Sequence, residues 1–252
     1  MSLRSFNLTQ SPIVALLHPR ERTGMLLWAS ALGLVAWGIA VWRVGLPTWG
    51  AVTIFLGIVL VPGVLKWHDD IRRYGVATAV LSILLAMQGF HTIEHGVQMV
   101  QYHVLNWPPF RSSGLLSAAN TEWVHFIWNW SVVAVVIYVM WKGRMRNPWA
   151  WMLITWAVLH SLEHSYMMYR YLMVKQELIA LGIPKQVVSA QGLPGILGRD
   201  GWLANSSICG RIPGLTTLSR IDIHFWWNAG EILLLLAAAH TYLRKIVVNN
   251  NE

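Results

Sequence analysis

The chain has 252 residues, of which 55% are hydrophobic and only 12% charged, with 16 tryptophans and a mean hydropathy of +0.46. A soluble domain carries about a quarter charged residues, so this composition excludes an ordinary globular protein. The net charge of +8 does not indicate a nucleic-acid binder, because the basic residues fall in short clusters between apolar runs. The single cysteine, Cys209, excludes an internal disulfide and a thiolate cluster from this chain alone. No signal-peptide pattern is expected in the first 24 residues, which are mixed polar and contain Pro12 and Pro19.

A membrane-spanning helix needs about 20 mostly apolar residues, and six segments meet that requirement. In chain order they are Met25 to Trp42, Thr48 to Leu65, Val76 to Leu105, Trp123 to Trp141, Trp149 to Val174, and His224 to Leu243. Unbroken apolar runs predict helices rather than barrel strands, which would alternate over about ten residues. The expected fold is therefore all-α: a polytopic integral membrane protein of about six transmembrane helices with a four-helix core.

The expected organisation is a cytoplasmic N-terminal segment (1–24), two accessory helices (25–75), a first helix pair (76–147) and a second pair (148–246). The second pair contains a long outer loop (175–222). Arg4, Arg20, Arg22, Lys66, Arg72, Arg73, Lys142, Arg144, Arg146, Arg244 and Lys245 fall on one side, against Arg43 and Arg111 on the other short connections. The positive-inside rule then puts both termini in the cytoplasm of a cell or inner membrane. The glycine- and proline-rich run with Gly192, Pro194, Gly195, Gly198, Gly201, Pro213 and Gly214 reads as turns. Arg199, Asp200 and Arg220 are expected to be solvated charges there.

An internal repeat carries the chemistry. His91-Thr92-Ile93-Glu94-His95 in the third span matches His160-Ser161-Leu162-Glu163-His164 in the fifth, and the match extends to Met99 with Met168 and Tyr102 with Tyr171. The fourth and sixth spans open with His125-Phe126-Ile127-Trp128-Asn129 and His224-Phe225-Trp226-Trp227-Asn228. The unit is thus a duplicated helix pair, HxxEH then HFxWN. With alternating spans the two copies share one orientation, a parallel repeat.

Residues at i, i+3 and i+4 share a helix face, so His91, Glu94 and His95 lie together, as do His160, Glu163 and His164. At 1.5 Å per residue, His91 and His95 sit about 22–29 Å from the cytoplasmic start of their span, and His160 and His164 about 17–23 Å. His125 and His224 enter from the outer side. The predicted cluster therefore lies in the outer half of the bilayer.

Ionisable groups inside a membrane are costly and mark functional sites. Isolated intramembrane histidines more often hydrogen-bond neighbouring helices, but six at matching depth point to metal. The expected ligands are His91, Glu94, His95, His125, His160, Glu163, His164 and His224, holding two transition-metal ions, iron first and then copper or zinc. Glu231, where the first pair has Val132, is the expected catalytic carboxylate, bridging the metals or moving protons. Asn129 and Asn228 are expected to bind the cofactor or orient a ligand. Met99, Met168, Tyr102 and Tyr171 read as packing residues.

The ligand chemistry resembles that of the membrane histidine-box oxygenases and desaturases, which hold two irons with histidines on bundled helices. Their HxxHH boxes are absent here, and theirs face the cytoplasm. Ferritin-like proteins use Glu-x-x-His; Glu122-Trp123-Val124-His125 fits that spacing, but its counterpart in the second pair is Ile221, so the repeat does not support it.

The expected function is oxidative chemistry on an apolar or small-molecule substrate. A metal-dependent hydrolase using the same residues is one alternative, and a haem-bearing electron-transfer or structural subunit is another. Metal transport fits poorly: Val76 to Met87 offers only Thr78 and Ser82, Trp149 to Leu159 only Thr155, and His240 stands alone near the inner end of the last span. Expected partners are the lipid bilayer, a substrate, and membrane proteins or further copies of the chain docking on the first two spans.

Overall fold

The computed structural model describes residues 11–116, 121–182, 193–206 and 212–249. Arg4, Lys185, Gly192, Cys209 and Arg211 fall outside the described residues, as does part of the long loop. The described residues are all-helical, with no strand. Seven α-helices follow one another: α1 Pro12–Leu17, α2 Thr23–Trp42, α3 Thr48–Tyr74, α4 Val76–Met99, α5 Glu122–Lys142, α6 Pro148–Ala180 and α7 Arg220–Asn249.

Among them, four stretches are long and apolar enough to cross a membrane: Arg20–Trp42, Thr48–Tyr74, Val76–Val104 and Glu122–Lys142. The expectation of six spans is met to that extent. α6 and α7 are long enough, but they carry Glu163, Arg170, Lys175, Glu177, Arg220, Asp222 and Glu231 among their apolar residues. The outer surface of α2 is what a bilayer requires: Trp28 and Trp42 are 79% and 80% exposed, and Leu27, Leu32 and Leu34 are exposed beside them. Such a continuous apolar surface would be insoluble in water and is satisfied by lipid.

The helices outrun their apolar segments at several ends. α3 continues through Pro62 to Tyr74, nine residues past the expected end, and stops where Gly75 adopts φ +80°. Its polar last turns are held by ion pairs rather than by lipid: Lys66 with Asp70, and Asp69 with Arg22. α4 passes into a π-helical turn, Val100–Val104. α6 starts on Asn147, whose Oδ1 accepts the Ala150 amide at 3.0 Å, with Pro148 at its first position, a favourable N-terminal pairing. α7 starts on a capping box: the Ser219 hydroxyl bonds Asp222, and the Ser219 amide donates back to the same carboxylate.

The chain divides into two compact units. The first combines Met1–Gly89, Val135–Ile154 and Ile232–Glu252. Here α2 packs on α3, and Gly33 allows the close approach, since a Cβ there would lie 2.8 Å from the Phe55 ring. A buried polar knot ties the N-terminal segment to this unit. The Lys66 ammonium donates to the Leu16 carbonyl, the Asp70 carboxylate and the Ser82 hydroxyl at 2.5–2.6 Å. All three ammonium protons are thereby used, which is what makes a buried lysine tolerable. The second unit combines Phe90–Ala134 and Thr155–Glu231, and it contains every residue of the predicted site.

Candidate metal centre

Four helices of the second unit each present imidazole: His91 and His95 from α4, His125 from α5, His160 and His164 from α6, and His224 from α7. All six are buried or nearly so; His160 and His164 are fully inaccessible. They form two triads in each of which one ligand atom per residue lies within 4.8 Å of the others: His91, His95 and His125, and His160, His164 and His224. Within the first, the Nε2 atoms of His91 and His95 are 3.3 Å apart. Within the second, the Nε2 atoms of His164 and His224 are 2.7 Å apart. The triads also adjoin each other, with ring centroids 5.0 Å apart for His95 and His224, 5.1 Å for His125 and His224, and 5.3 Å for His125 and His164.

In four of the six rings Nδ1 is anchored. Nδ1 of His95 lies 3.1 Å from Gln98 Oε1, and Nδ1 of His125 lies 3.0 Å from the Thr121 carbonyl. Nδ1 of His160 lies 2.8 Å from Glu231 Oε2, and Nδ1 of His164 lies 3.1 Å from Glu122 Oε1. Because the contacting atom is in each case an oxygen that accepts, Nδ1 in these four rings carries the proton and donates it. The lone pair is then left on Nε2, the tautomer a metal ligand needs, with its ring orientation fixed by the outer partner. His160 Nε2 is buried with no hydrogen-bond partner, so an acceptor sits where only a cation or a donor satisfies it.

These donors fit a metal ion. Nitrogens bound tetrahedrally at about 2.0–2.1 Å are about 3.3 Å apart, the separation found for His91 and His95. The closer His164 and His224 pair needs to open by about half an ångström to reach the same geometry.

The two glutamates of the HxxEH motifs go elsewhere. Glu94 accepts the amides of Leu115 and Leu116 at 2.9 and 2.7 Å. Glu163 accepts the amide of Ile196 at 3.1 Å through both oxygens, that of Leu197 at 3.3–3.4 Å, and an Arg220 guanidinium nitrogen at 2.7 Å. Neither belongs to the triads. Each carboxylate sits against a glycine, Gly114 or Gly195, where an added Cβ would overlap a carboxylate oxygen. The sequence around each is Gly-Leu-Leu (114–116) or Gly-Ile-Leu (195–197). The likeness of the two short segments becomes meaningful once the carboxylates' destination is known. Arg220 is not a solvated charge, as the sequence suggested, but a largely buried partner of Glu163 that also meets the Met167 sulfur. Arg199 and Asp200 do form an exposed pair.

Of the other predicted residues, Asn129 and Asn228 are both buried and donate Nδ2 to the carbonyl of the histidine four residues before, His125 and His224, at 2.8 and 2.9 Å. Asn228 Oδ1 is buried without a partner. Glu231 reaches the cluster through His160. Glu122, which the repeat did not support, is 2% exposed and backs His164. Its ExxH spacing to His125 plays no part, because it serves a histidine 42 residues later. Trp227 stacks on His160, with centroids 5.3 Å apart and planes 5° from parallel, and Trp128 lies 5.6 Å from His91. The chain matches no known protein family, no characterised protein and no solved structure.

Proposed function

We propose that the protein is an integral membrane metalloprotein that holds two first-row transition-metal ions, one per histidine triad, for oxidative chemistry on an apolar or small substrate. His91, His95 and His125 hold one ion, and His160, His164 and His224 hold the other. The observation that carries this reading is the gathering of six imidazoles into two triads, with Nδ1 anchored to an oxygen in four of them.

With Glu94 and Glu163 turned to backbone amides, the donors are nitrogen only. Imidazole suits copper, zinc and iron alike, but a carboxylate-free set favours copper and zinc over the iron expected from the motif. A bound redox-active pair supplies one-electron or oxygen chemistry; zinc would supply hydrolysis through bound water. The chain's own contribution is to orient the imidazoles, through Gln98, the Thr121 carbonyl, Glu122 and Glu231, and to keep the site dry with Trp128 and Trp227. The rings pack with centroids 4.6–6.3 Å apart, a spacing that suits single ions better than a haem slotted between facing histidines.

The wider architecture belongs to the same proposal: six spans, both termini cytoplasmic, and a core made of a duplicated helix pair. The Glu94 and Glu163 loop anchors and the Asn129 and Asn228 bonds support the duplication, since equivalent residues make equivalent bonds. Elemental analysis of detergent-purified protein tests the centre. About two equivalents of copper, iron or zinc are expected, and a preparation made without chelator that holds less than one equivalent of any transition metal rejects it.

A further inference from the structure

The two triads are alike in their ligands and unlike in what stands behind them. Behind the first are neutral acceptors, the Gln98 side-chain amide on His95 and the Thr121 carbonyl on His125. Behind the second are two carboxylates, Glu231 on His160 and Glu122 on His164. Both carboxylates are almost wholly buried, at 1% and 2% exposure. Glu163 is not a third, because Arg220 and the loop amides hold it, and Glu94 is likewise held by loop amides.

Resting on the two-metal reading, we propose that the centre is asymmetric: the triad of His160, His164 and His224 is a tight, electron-rich position, and that of His91, His95 and His125 a weaker one. A carboxylate accepting the Nδ1 proton makes the imidazole a stronger base and offsets the positive charge of the ion beyond it; an amide or carbonyl does so far less. Burial strengthens the difference, because little solvent screens either carboxylate. The second position therefore fills first, and it stabilises the more highly charged state of a redox ion. The first position is the one that exchanges its ion or changes oxidation state more readily. Glu122 and Glu231 act through the histidines and are positioning residues in this scheme. Glu122 belongs to α5, the helix that gives His125 to the other triad, so a residue of the first repeat sets the properties of the second position.

The test is titration of chelator-stripped, detergent-solubilised full-length protein with Co²⁺, read by its visible ligand-field absorption. Wild type is expected to fill in two steps at least about tenfold apart, and E122Q and E231Q each to weaken the tighter step by about 10–100-fold while leaving the weaker step in place. Q98E is expected to do the reverse, strengthening the weaker step and narrowing the gap. It keeps the test decisive if a glutamine variant fails to fold. Two steps of equal affinity, or a tight step untouched by both E122Q and E231Q, overturn the asymmetry and leave the two-metal centre standing. Uptake of fewer than two ions by wild type overturns the two-metal reading itself.

Discussion

His164 and His224 are 60 residues apart in the chain, yet their Nε2 atoms lie 2.7 Å from each other with neither side chain reaching the surface. Glu122 accepts a hydrogen bond from Nδ1–H of His164, so the Nε2 of His164 offers a lone pair. Two ring nitrogens at this distance share either a proton or a cation. Ligand binding to the native state alone stabilises it by mass action, by about 4 kcal/mol at a thousand times the dissociation constant. Stripping the protein with a chelator is therefore expected to lower its melting temperature in detergent, and re-adding copper or zinc to restore it. An unchanged melting curve would show that a shared proton satisfies the pair.

Removing single ligands should separate the two positions. His164→Ala and His224→Ala each are expected to lose about one equivalent of metal, from the second triad, and His95→Ala about one from the first. Mass-spectrometric metal counts on the three variants beside wild type check this. Loss of all metal in every variant would mean a single shared ion.

The loop anchors make a stability prediction independent of metal. Gly114 has φ +78° and sits against Glu94. Gly114→Ala pays about 1–2 kcal/mol for a left-handed backbone and also displaces the carboxylate from the Leu115 and Leu116 amides. Arg220→Ala leaves Glu163 with its amides but without its cation, and breaking such a buried pair costs about 3–5 kcal/mol. Limited proteolysis should show earlier cleavage near 112–116 in the first variant and near 193–199 in the second. A wild-type digestion pattern in both would refute the anchoring role.

In the first unit, Lys66→Met leaves the buried Asp70 to the Arg20 guanidinium 3.6 Å away, and is expected to cost up to about 3–5 kcal/mol. Adding Asp70→Leu should recover most of that loss, because two apolar residues need no pairing. Thermal melting of the single and double variants measures the recovery, and a double variant no better than Lys66→Met would contradict it. Metal content is expected to stay at the wild-type level in both.

Much of this was legible in the chain. The apolar runs predicted the helices to within a few residues at most ends, since a span's length is set by its hydrophobic residues. α3 ran longer and α7 started earlier because ion pairs and caps, which periodicity does not register, extend a helix past its apolar stretch. All six histidines of the triads were marked by i, i+4 spacing and repetition. The glutamates were harder. Helical spacing puts Glu94 and Glu163 on roughly the right face, but the competing amides come from loops whose path no spacing rule gives. Glu122 was passed over because a repeat argument looks for equivalent residues in equivalent places. It meets His164, 42 residues later, and that pairing exists only in three dimensions.

The order of the ligands along the chain has a consequence for biosynthesis. The triad of His91, His95 and His125 is complete as soon as α5 has left the ribosome, whereas that of His160, His164 and His224 needs the final helix, α7. The nascent protein thus passes through a stage in which one set of imidazoles is assembled and the other lacks a member. On the two-metal proposal, a chain arrested before Arg220 would retain only the set without carboxylate support, able to sample metal but poorly equipped to keep it.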